Sequence, residues 1–129
     1  ENGIKTFMHG PTFMANPISC SAALASLELL LESDWQSNVK RIEDQLKTEL
    51  EPSNSFKIVK EVRVLGAIGV VELTKNVDIE KVIKFFVSRN VWIRPFKNLI
   101  YLMPPYIISR SELKQLTDSV IEAIEKNEV

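Results

Sequence analysis

The sequence predicts an α+β fold, with a mostly antiparallel sheet and helices on one of its faces. The order of segments is the first reason: two helical patterns, two short strands, a helix, two more short strands and a last helix. The second reason is that only a few turn-forming residues separate the strands of each pair, which favours hairpins over crossover connections. With 129 residues, the chain can bury one modest core.

The first helix is predicted from Asn16 to about Glu32. Asn16 is a typical N-cap residue, and Pro17 suits the first helical position because its missing N–H is not needed there. The helix is apolar on nearly every side, which predicts burial on several sides or an exposed apolar surface in an isolated piece. That surface would centre on Leu24, Leu27 and Leu30.

A second helix is predicted to follow, opened by a capping box of Ser33 and Gln36. Its apolar residues recur on one face, and Pro52 with the serines and asparagine after it ends the pattern. The face consists of Trp35, Val39, Ile42, Leu46 and Leu50.

Two strands are predicted within residues 56–73, where Gly66 and Gly69 indicate a bulge or a close approach of the backbone. Asp78 is the predicted N-cap of the third helix.

Residues 91–94 are predicted as a short strand that Pro95 ends. After a turn at Lys97 and Asn98, residues 99–103 form the returning strand. Ser109 with Glu112 then predicts a capping box at the start of the last helix.

Composition excludes several classes of function. The formal charge is −1, which provides no basic surface for nucleic acid or anionic lipid. The single cysteine, Cys20, cannot form an internal disulfide and suits a reducing cytoplasm. One histidine and one cysteine do not make a metal-ligand cluster, and no apolar run is long enough to span a bilayer. We therefore expect a cytoplasmic protein without a metal site.

The stretch from His9 to Pro17 reads as a tight polar loop that leads into a helix. Thr12 presents a hydroxyl and a backbone N–H on the bend made by Gly10 and Pro11, an arrangement that suits a phosphate. The same residues would also serve as a plain helix-entry turn, so the pattern alone leaves both interpretations open.

Two further side chains are candidates for binding. Arg94 lies between Ile93 and Pro95 in an apolar segment, where a guanidinium needs an anionic partner. That partner is either a carboxylate of the protein, in a structural ion pair, or a carboxylate of a ligand. Tyr101 belongs to the returning strand, where a tyrosine is commonly half-buried with its hydroxyl at a rim.

Three runs carry a family resemblance: FMHGPTFMANP at residues 7–17, RVLGAIGVVEL at residues 63–73 and VWIRPFKNLIYLMPPYIIS at residues 91–109. In sequence, order and spacing they resemble the C-terminal part of class III aminotransferases, which use pyridoxal 5'-phosphate. HGPTF and WIRPF with LIYLMPPY are most similar to the branch that acts in biotin biosynthesis. The resemblance implies a homodimer whose small-molecule substrates are S-adenosylmethionine and 8-amino-7-oxononanoate.

The resemblance also implies a division of the chain within a fold-type I transferase. Residues 1–15 would be a cofactor-phosphate loop of the large domain, residues 16–32 an inter-domain helix, and residues 33–129 the small C-terminal domain.

It further implies roles for individual residues. Gly10, Pro11 and Thr12 would bind the cofactor, with Thr12 reaching the cofactor phosphate of the neighbouring subunit. Gly10, Arg94 and Tyr101 would contact the substrate, whereas Trp92 and Tyr106 would be packing residues.

The lysine that forms the Schiff base lies upstream of the HGPT loop in this family, and no lysine here has a matching context. The chain is therefore expected to be part of a longer enzyme and inactive alone, with no catalytic residue of its own. Lys97 departs from the small residue expected at its turn. Two alternatives remain: another class III enzyme acting on an ω-amino acid or a diamine, and a non-catalytic α+β interaction domain.

Overall fold

A computed structural model describes residues 14–129, which divide into two compact units. The first unit ends at Asp34, and the second runs from Trp35 to Val129. The elements in chain order are α1 (Pro17–Glu32), α2 (Trp35–Leu50), a 3-10 helix (Glu51–Ser55), β1 (Val59–Leu65), β2 (Ile68–Leu73), α3 (Ile79–Ser88), β3 (Leu99–Leu102) and α4 (Arg110–Glu125).

Helix α1 begins as predicted. The Asn16 side chain accepts hydrogen bonds from the backbone N–H groups of Ile18, at 3.0 Å, and Ser19, at 3.3 Å. None of the residues of α1 is buried, and Leu24 and Leu27 each expose more than half of their surface. Within its own unit the helix therefore presents apolar surface, the second of the two outcomes expected from its composition.

The capping box predicted for α2 is wrong, because Ser33 ends the preceding helix instead. Its backbone N–H bonds the carbonyls of Leu29 and Leu30, and its hydroxyl donates to the Leu30 carbonyl at 2.8 Å. Ser33 is thus the C-cap of α1, and α2 starts two residues later. A serine between two helices can satisfy the carbonyls behind it as readily as the N–H groups ahead of it.

The second unit contains a three-stranded antiparallel sheet in the order β1-β2-β3. Gly66, at φ +54°, forms the tight turn between β1 and β2, a conformation that costs glycine little. Side chains alternate along β2 and β3, so that Val71 and its partner Ile100 face inward. The sheet and its helices confirm the predicted α+β class.

The helices of the second unit share one core with the inner face of the sheet. Gly69 on β2 allows the closest approach, since a Cβ atom there would lie 2.9 Å from Cδ1 of Leu50 and 3.3 Å from Leu46 on α2. This confirms the predicted close backbone approach at one of the two glycines. The largest fully buried side chains of the core include Phe86, Ile42, Leu46, Leu50, Leu73, Ile100 and Leu113.

The predicted caps of the other two helices are also confirmed. Asp78 accepts from the backbone N–H of Lys81 at 3.1 Å at the start of α3. Ser109 and Glu112 form a reciprocal capping box at the start of α4, with bonds of 3.2 Å and 2.8 Å.

The strand predicted at residues 91–94 does not form. This segment has no regular ladder to β3, and only Phe96 and Leu99 form an isolated bridge beside the turn. Proline fixes φ near −65°, far from the more extended values of a strand, so Pro95 turns the segment away from continued pairing. The segment that carries Arg94 is consequently irregular rather than part of the sheet.

Candidate functional site

Buried and exposed side chains alternate along the segment from Val91 to Phe96. Val91 and Ile93 are buried in the core, at 8% and 4% exposure, whereas Trp92, Arg94 and Phe96 are exposed. In a stretch of this kind successive side chains point to opposite sides. Trp92, Arg94 and Phe96 therefore share one side, and the buried residues between them anchor that row.

A two-residue turn fixes the end of the segment. Phe96 and Leu99 exchange two backbone hydrogen bonds of 2.9 Å, with Lys97 in the left-handed region at φ +54°. The carbonyl of Lys97 accepts from the N–H of Val77, and the carbonyl of Asn98 accepts from the N–H of Leu73, each at 2.8 Å. The turn is thus bonded to the end of β2 and holds the segment in place.

The bridge pairs Phe96 with Leu99, and no ladder continues from it to Arg94. Tyr101 pairs with Val70 on β2 and lies on the outer face of the sheet, with 36% of its surface exposed. Arg94 and Tyr101, two of the residues predicted to bind substrate, are thus exposed and partly exposed respectively, and no pairing between them is formed in the described residues.

Arg94 has no hydrogen bond or ion pair to any residue in the described part of the chain, 14–129. Three of the other arginines do: Arg41 bonds the Ile108 carbonyl, Arg63 pairs with two glutamates, and Arg89 pairs with Glu122. Arg110, exposed at the start of α4, also has no bond from its guanidinium within these residues, although its carbonyl accepts from the Gln45 side chain at 2.8 Å. Arg94 differs from Arg110 because it lies between two residues anchored in the core, Ile93 and Pro95.

The buried-charge argument used to predict the site needs correction, because the guanidinium of Arg94 is exposed. Exposure removes the penalty that would force an ion pair within this unit. An exposed cation without a protein partner remains free to bind an anionic ligand.

Glu72, on the outer face of β2, is already bonded to two basic side chains. Glu72 accepts from Lys60 at 2.7 Å and from Arg63 at 2.6 Å. These two hydrogen bonds lower the pKa of the Glu72 carboxyl to about 2, and the bond from Lys60 has the larger effect. The carboxylate is therefore ionised and bonded to two cations of β1. It forms no ion pair with Arg94 that an anionic ligand would have to displace.

Sequence reasoning missed the aromatic neighbour of Arg94. Trp92 was expected to be a packing residue, yet 71% of its surface is exposed, and Tyr106 exposes 42%. The signal that could have revealed it is the strict alternation of residues 91–96 around Arg94. The two residues on either side of Arg94 in that row are both aromatic.

The predicted cofactor-binding residues Gly10, Pro11 and Thr12 lie outside the described residues, so their roles stay predictions. Within residues 14–129 no group of three His, Cys, Asp or Glu side chains is arranged to hold a metal ion. Over the same residues no helix is both long and apolar enough to cross a bilayer.

A family model described as aminotransferase class III matches residues 2–124 of the chain. The chain belongs to the class III aminotransferase family. This match confirms the resemblance inferred from the three sequence runs.

Several curated relatives within the family are named adenosylmethionine-8-amino-7-oxononanoate aminotransferase. The protein of Buchnera aphidicola subsp. Acyrthosiphon pisum is 49% identical over 123 residues, which is 95% of this chain and 29% of that protein. The protein of Saccharomyces cerevisiae is 45% identical over 125 residues, which is 92% of this chain and 26% of that protein. The chain thus spans less than a third of the length of these aminotransferases.

Solved structures agree with the fold. The crystal structure of the enzyme of the same name from Methanocaldococcus jannaschii superposes with a TM-score of 0.77 at 28% identity, covering 93% of this chain and 30% of that one. An amine transaminase from an uncultivated Pseudomonas species, solved in its PLP-bound form, gives 0.76 at 26% identity, covering 93% and 30%. The α+β unit is therefore the arrangement found in class III aminotransferases.

Proposed function

We propose that the complete protein transfers an amino group from S-adenosylmethionine to 8-amino-7-oxononanoate, giving 7,8-diaminononanoate in biotin biosynthesis. The observation that carries this proposal is the identity of 45–49% to relatives of that name from a bacterium and a yeast, over more than nine-tenths of this chain. The cytoplasm is the expected compartment, since the only cysteine in the sequence is unpaired.

Arg94 would bind the carboxylate of 8-amino-7-oxononanoate. A guanidinium presents a planar pair of N–H donors that matches the two oxygens of a carboxylate. The exposed position of Arg94, and its lack of a partner among residues 14–129, support this role. The buried neighbours on either side hold its backbone, so that little conformational freedom is lost when the substrate binds.

Tyr101 would form the wall of the substrate site next to Arg94. Its ring lies over the outer face of the sheet, and its partial exposure leaves the hydroxyl available to a polar group of the substrate. Gly10 would approach the same substrate from the loop, where the absence of a side chain leaves room for it.

The complete protein would use pyridoxal 5'-phosphate, bound by Gly10, Pro11 and Thr12, with Thr12 reaching the phosphate of the cofactor in the partner subunit of a homodimer. The donors would fit a phosphate, because the sequence before α1 offers the Thr12 hydroxyl and backbone N–H groups in a segment predicted to be a loop. The cofactor supplies the group that carries the amino function between the two half-reactions. Its lysine partner would lie upstream of this chain, which would leave these 129 residues inactive alone.

A second candidate is another class III aminotransferase, acting on an ω-amino acid or a diamine. The similarity to an amine transaminase, at a TM-score of 0.76 and 26% identity, supports this second candidate. The LIYLMPPY run and Pro11 favour the biotin-pathway activity instead. A non-catalytic interaction domain would have neither activity.

The test is a donor and acceptor panel with the complete protein. S-adenosylmethionine, alanine and a diamine would each be offered as donor, first to 8-amino-7-oxononanoate and then to other keto acids, and the products measured by mass spectrometry. We expect 7,8-diaminononanoate with S-adenosylmethionine as the effective donor. Turnover of alanine or the diamine with other acceptors, but not with 8-amino-7-oxononanoate, would favour the second candidate. No turnover by cofactor-loaded protein would favour the interaction domain.

A further inference from the structure

A polar cleft lies between α2 and α4, and none of the predicted site residues lines it. Its volume is about 570 Å³, a size typical of small-molecule sites. Among the described residues, no aromatic or aliphatic side chain lines it. The charged part of the lining consists of three basic side chains, Arg41, Arg110 and Lys114, and two acidic ones, Asp44 and Glu49.

Both acidic side chains of the cleft already accept hydrogen bonds. Asp44 accepts from Lys40, one turn earlier on α2, at 2.8 Å. Glu49 accepts from the neutral side chains of Gln45, at 3.0 Å, and Thr117, at 2.7 Å. Neither carboxylate forms an ion pair with an arginine of the cleft, and Glu49 has no cation bonded to it within residues 14–129.

The two arginines of the cleft have no carboxylate partner in the described part of the chain. Arg41 donates from Nη2 to the Ile108 carbonyl at 2.7 Å, whereas its buried Nη1 has no hydrogen-bond partner. The guanidinium of Arg110 is exposed and makes no bond, since only its backbone carbonyl accepts from Gln45. A buried donor normally has a partner, so the unpaired Nη1 indicates a place where one is missing.

The charges left without a counter-ion define the kind of ligand that would fit. Lys114 pairs with Asp118 at 2.7 Å, which leaves the guanidinium groups of Arg41 and Arg110 and the carboxylate of Glu49. A carboxylate has about four acceptor sites, so Glu49 can accept a further donor beside its two neutral ones. The complement of two cations and one anion is a molecule with two acid groups and one ammonium group.

We propose that this cleft binds a small amino acid that carries an acidic side chain. Arg110 binds one acid group, and Arg41 binds the other after a rotation that turns its unpaired Nη1 towards the cleft. Glu49 accepts from the ammonium group. The ligand thereby joins α2 to the first turn of α4. None of these residues takes part in the proposed function, so the two proposals stand or fall separately.

The experiment is calorimetric titration of the complete protein with three probes of similar length. Glutamate carries all three charged groups, glutarate lacks the ammonium group, and γ-aminobutyrate lacks one acid group. The cofactor is supplied as pyridoxamine 5'-phosphate, because an amino donor does not react with that form. Glutamate should bind with the lowest dissociation constant, and each missing group should raise that constant about tenfold, the effect of one charge-assisted hydrogen bond.

Three variants test the assigned contacts. Glu49→Gln, which keeps the size of the side chain, should weaken glutamate about tenfold and strengthen glutarate by removing a like charge. Arg110→Ala should weaken both and leave the melting temperature unchanged, because its guanidinium has no bond to lose. Lys75→Ala is the matched control, since it removes an exposed positive charge that does not line the cleft. It should change neither dissociation constant.

Three results would overturn the inference. One is an unmodified protein that binds none of the probes, or that binds glutarate as tightly as glutamate. Another is binding of glutamate that both Glu49→Gln and Arg110→Ala leave intact. The third is binding that Arg94→Ala abolishes and Arg110→Ala does not, because glutamate would then occupy the candidate substrate site.

Discussion

Replacing Arg94 with alanine separates a ligand-binding arginine from a structural one. In the described residues Arg94 is exposed and has neither an ion pair nor a hydrogen bond. Exposed substitutions away from such interactions usually change the free energy of unfolding by less than about 0.5 kcal/mol. We therefore expect Arg94→Ala to leave the stability of the 129-residue chain within that margin.

Arg89→Ala is the matched control, because Arg89 has the contacts that Arg94 lacks. Its guanidinium lies 5.2 Å from the centroid of the Phe85 ring and pairs with Glu122. The cation–π contact alone contributes about 0.5–1 kcal/mol at an exposed site, and the ion pair adds to it. Arg89→Ala should therefore lower stability measurably where Arg94→Ala does not.

Urea denaturation followed by circular dichroism measures both variants against the unmodified chain, with the m-values compared to check that compactness is unchanged. A loss of about 3–5 kcal/mol in Arg94→Ala would be the cost of breaking a structural ion pair. That result would refute the reasoning, since it would mean that Arg94 has a protein partner.

Three further predictions address other parts of the chain. The stability that Glu72 contributes should be fully present above pH 4.5, the usual pKa of its carboxyl, and should be lost as the pH falls towards about 2; Glu72→Gln should flatten melting temperature against pH in this range. Ser109→Ala should cost about 1 kcal/mol by removing the cap of α4, measured by urea denaturation, whereas Ser109→Asp should retain most of the stability. Thr12→Ala in the complete protein should raise the dissociation constant of pyridoxal 5'-phosphate about tenfold to a hundredfold, because one charge-assisted hydrogen bond is lost; unchanged affinity in an intact dimer would make Thr12 a turn residue only.

The features predicted correctly from sequence are those decided by neighbouring residues. Asn16, Asp78 and Ser109 cap their helices as expected, because a cap depends on a side chain and the N–H groups two or three residues ahead. Gly69 is the exception, since the close approach correctly predicted there is made by Leu46 and Leu50 on α2.

The errors arise where the outcome depends on distant parts of the chain. The strand at residues 91–94 looked regular locally, but pairing with β3 would have to continue past Pro95. Ser33 could cap either adjoining helix, and only the path of the chain decides which. The exposure of Trp92 was missed for a similar reason. An aromatic residue is apolar on either side of a segment, so its type alone does not say whether it faces the core.

For the candidate site, the sequence runs identified Arg94 and Tyr101, but not why they belong together. The structure shows that a turn bonded to β2 joins the segment of Arg94 to the strand of Tyr101. The physical argument that singled out Arg94 was wrong, because Arg94 is exposed rather than buried, and its role stays a prediction.

The most direct test of the proposed function is to measure the two half-reactions of the complete enzyme separately, by stopped-flow absorbance, in Arg94→Ala and Arg94→Lys. Arg94→Ala should raise the Michaelis constant for 8-amino-7-oxononanoate about tenfold to a hundredfold, and affect the half-reaction with S-adenosylmethionine less. Arg94→Lys should restore little, because an ammonium cannot bind both carboxylate oxygens in one plane. The melting temperature should stay nearly unchanged in both variants. An equal loss in both half-reactions, accompanied by a large fall in melting temperature, would contradict the assignment of Arg94 to the substrate carboxylate.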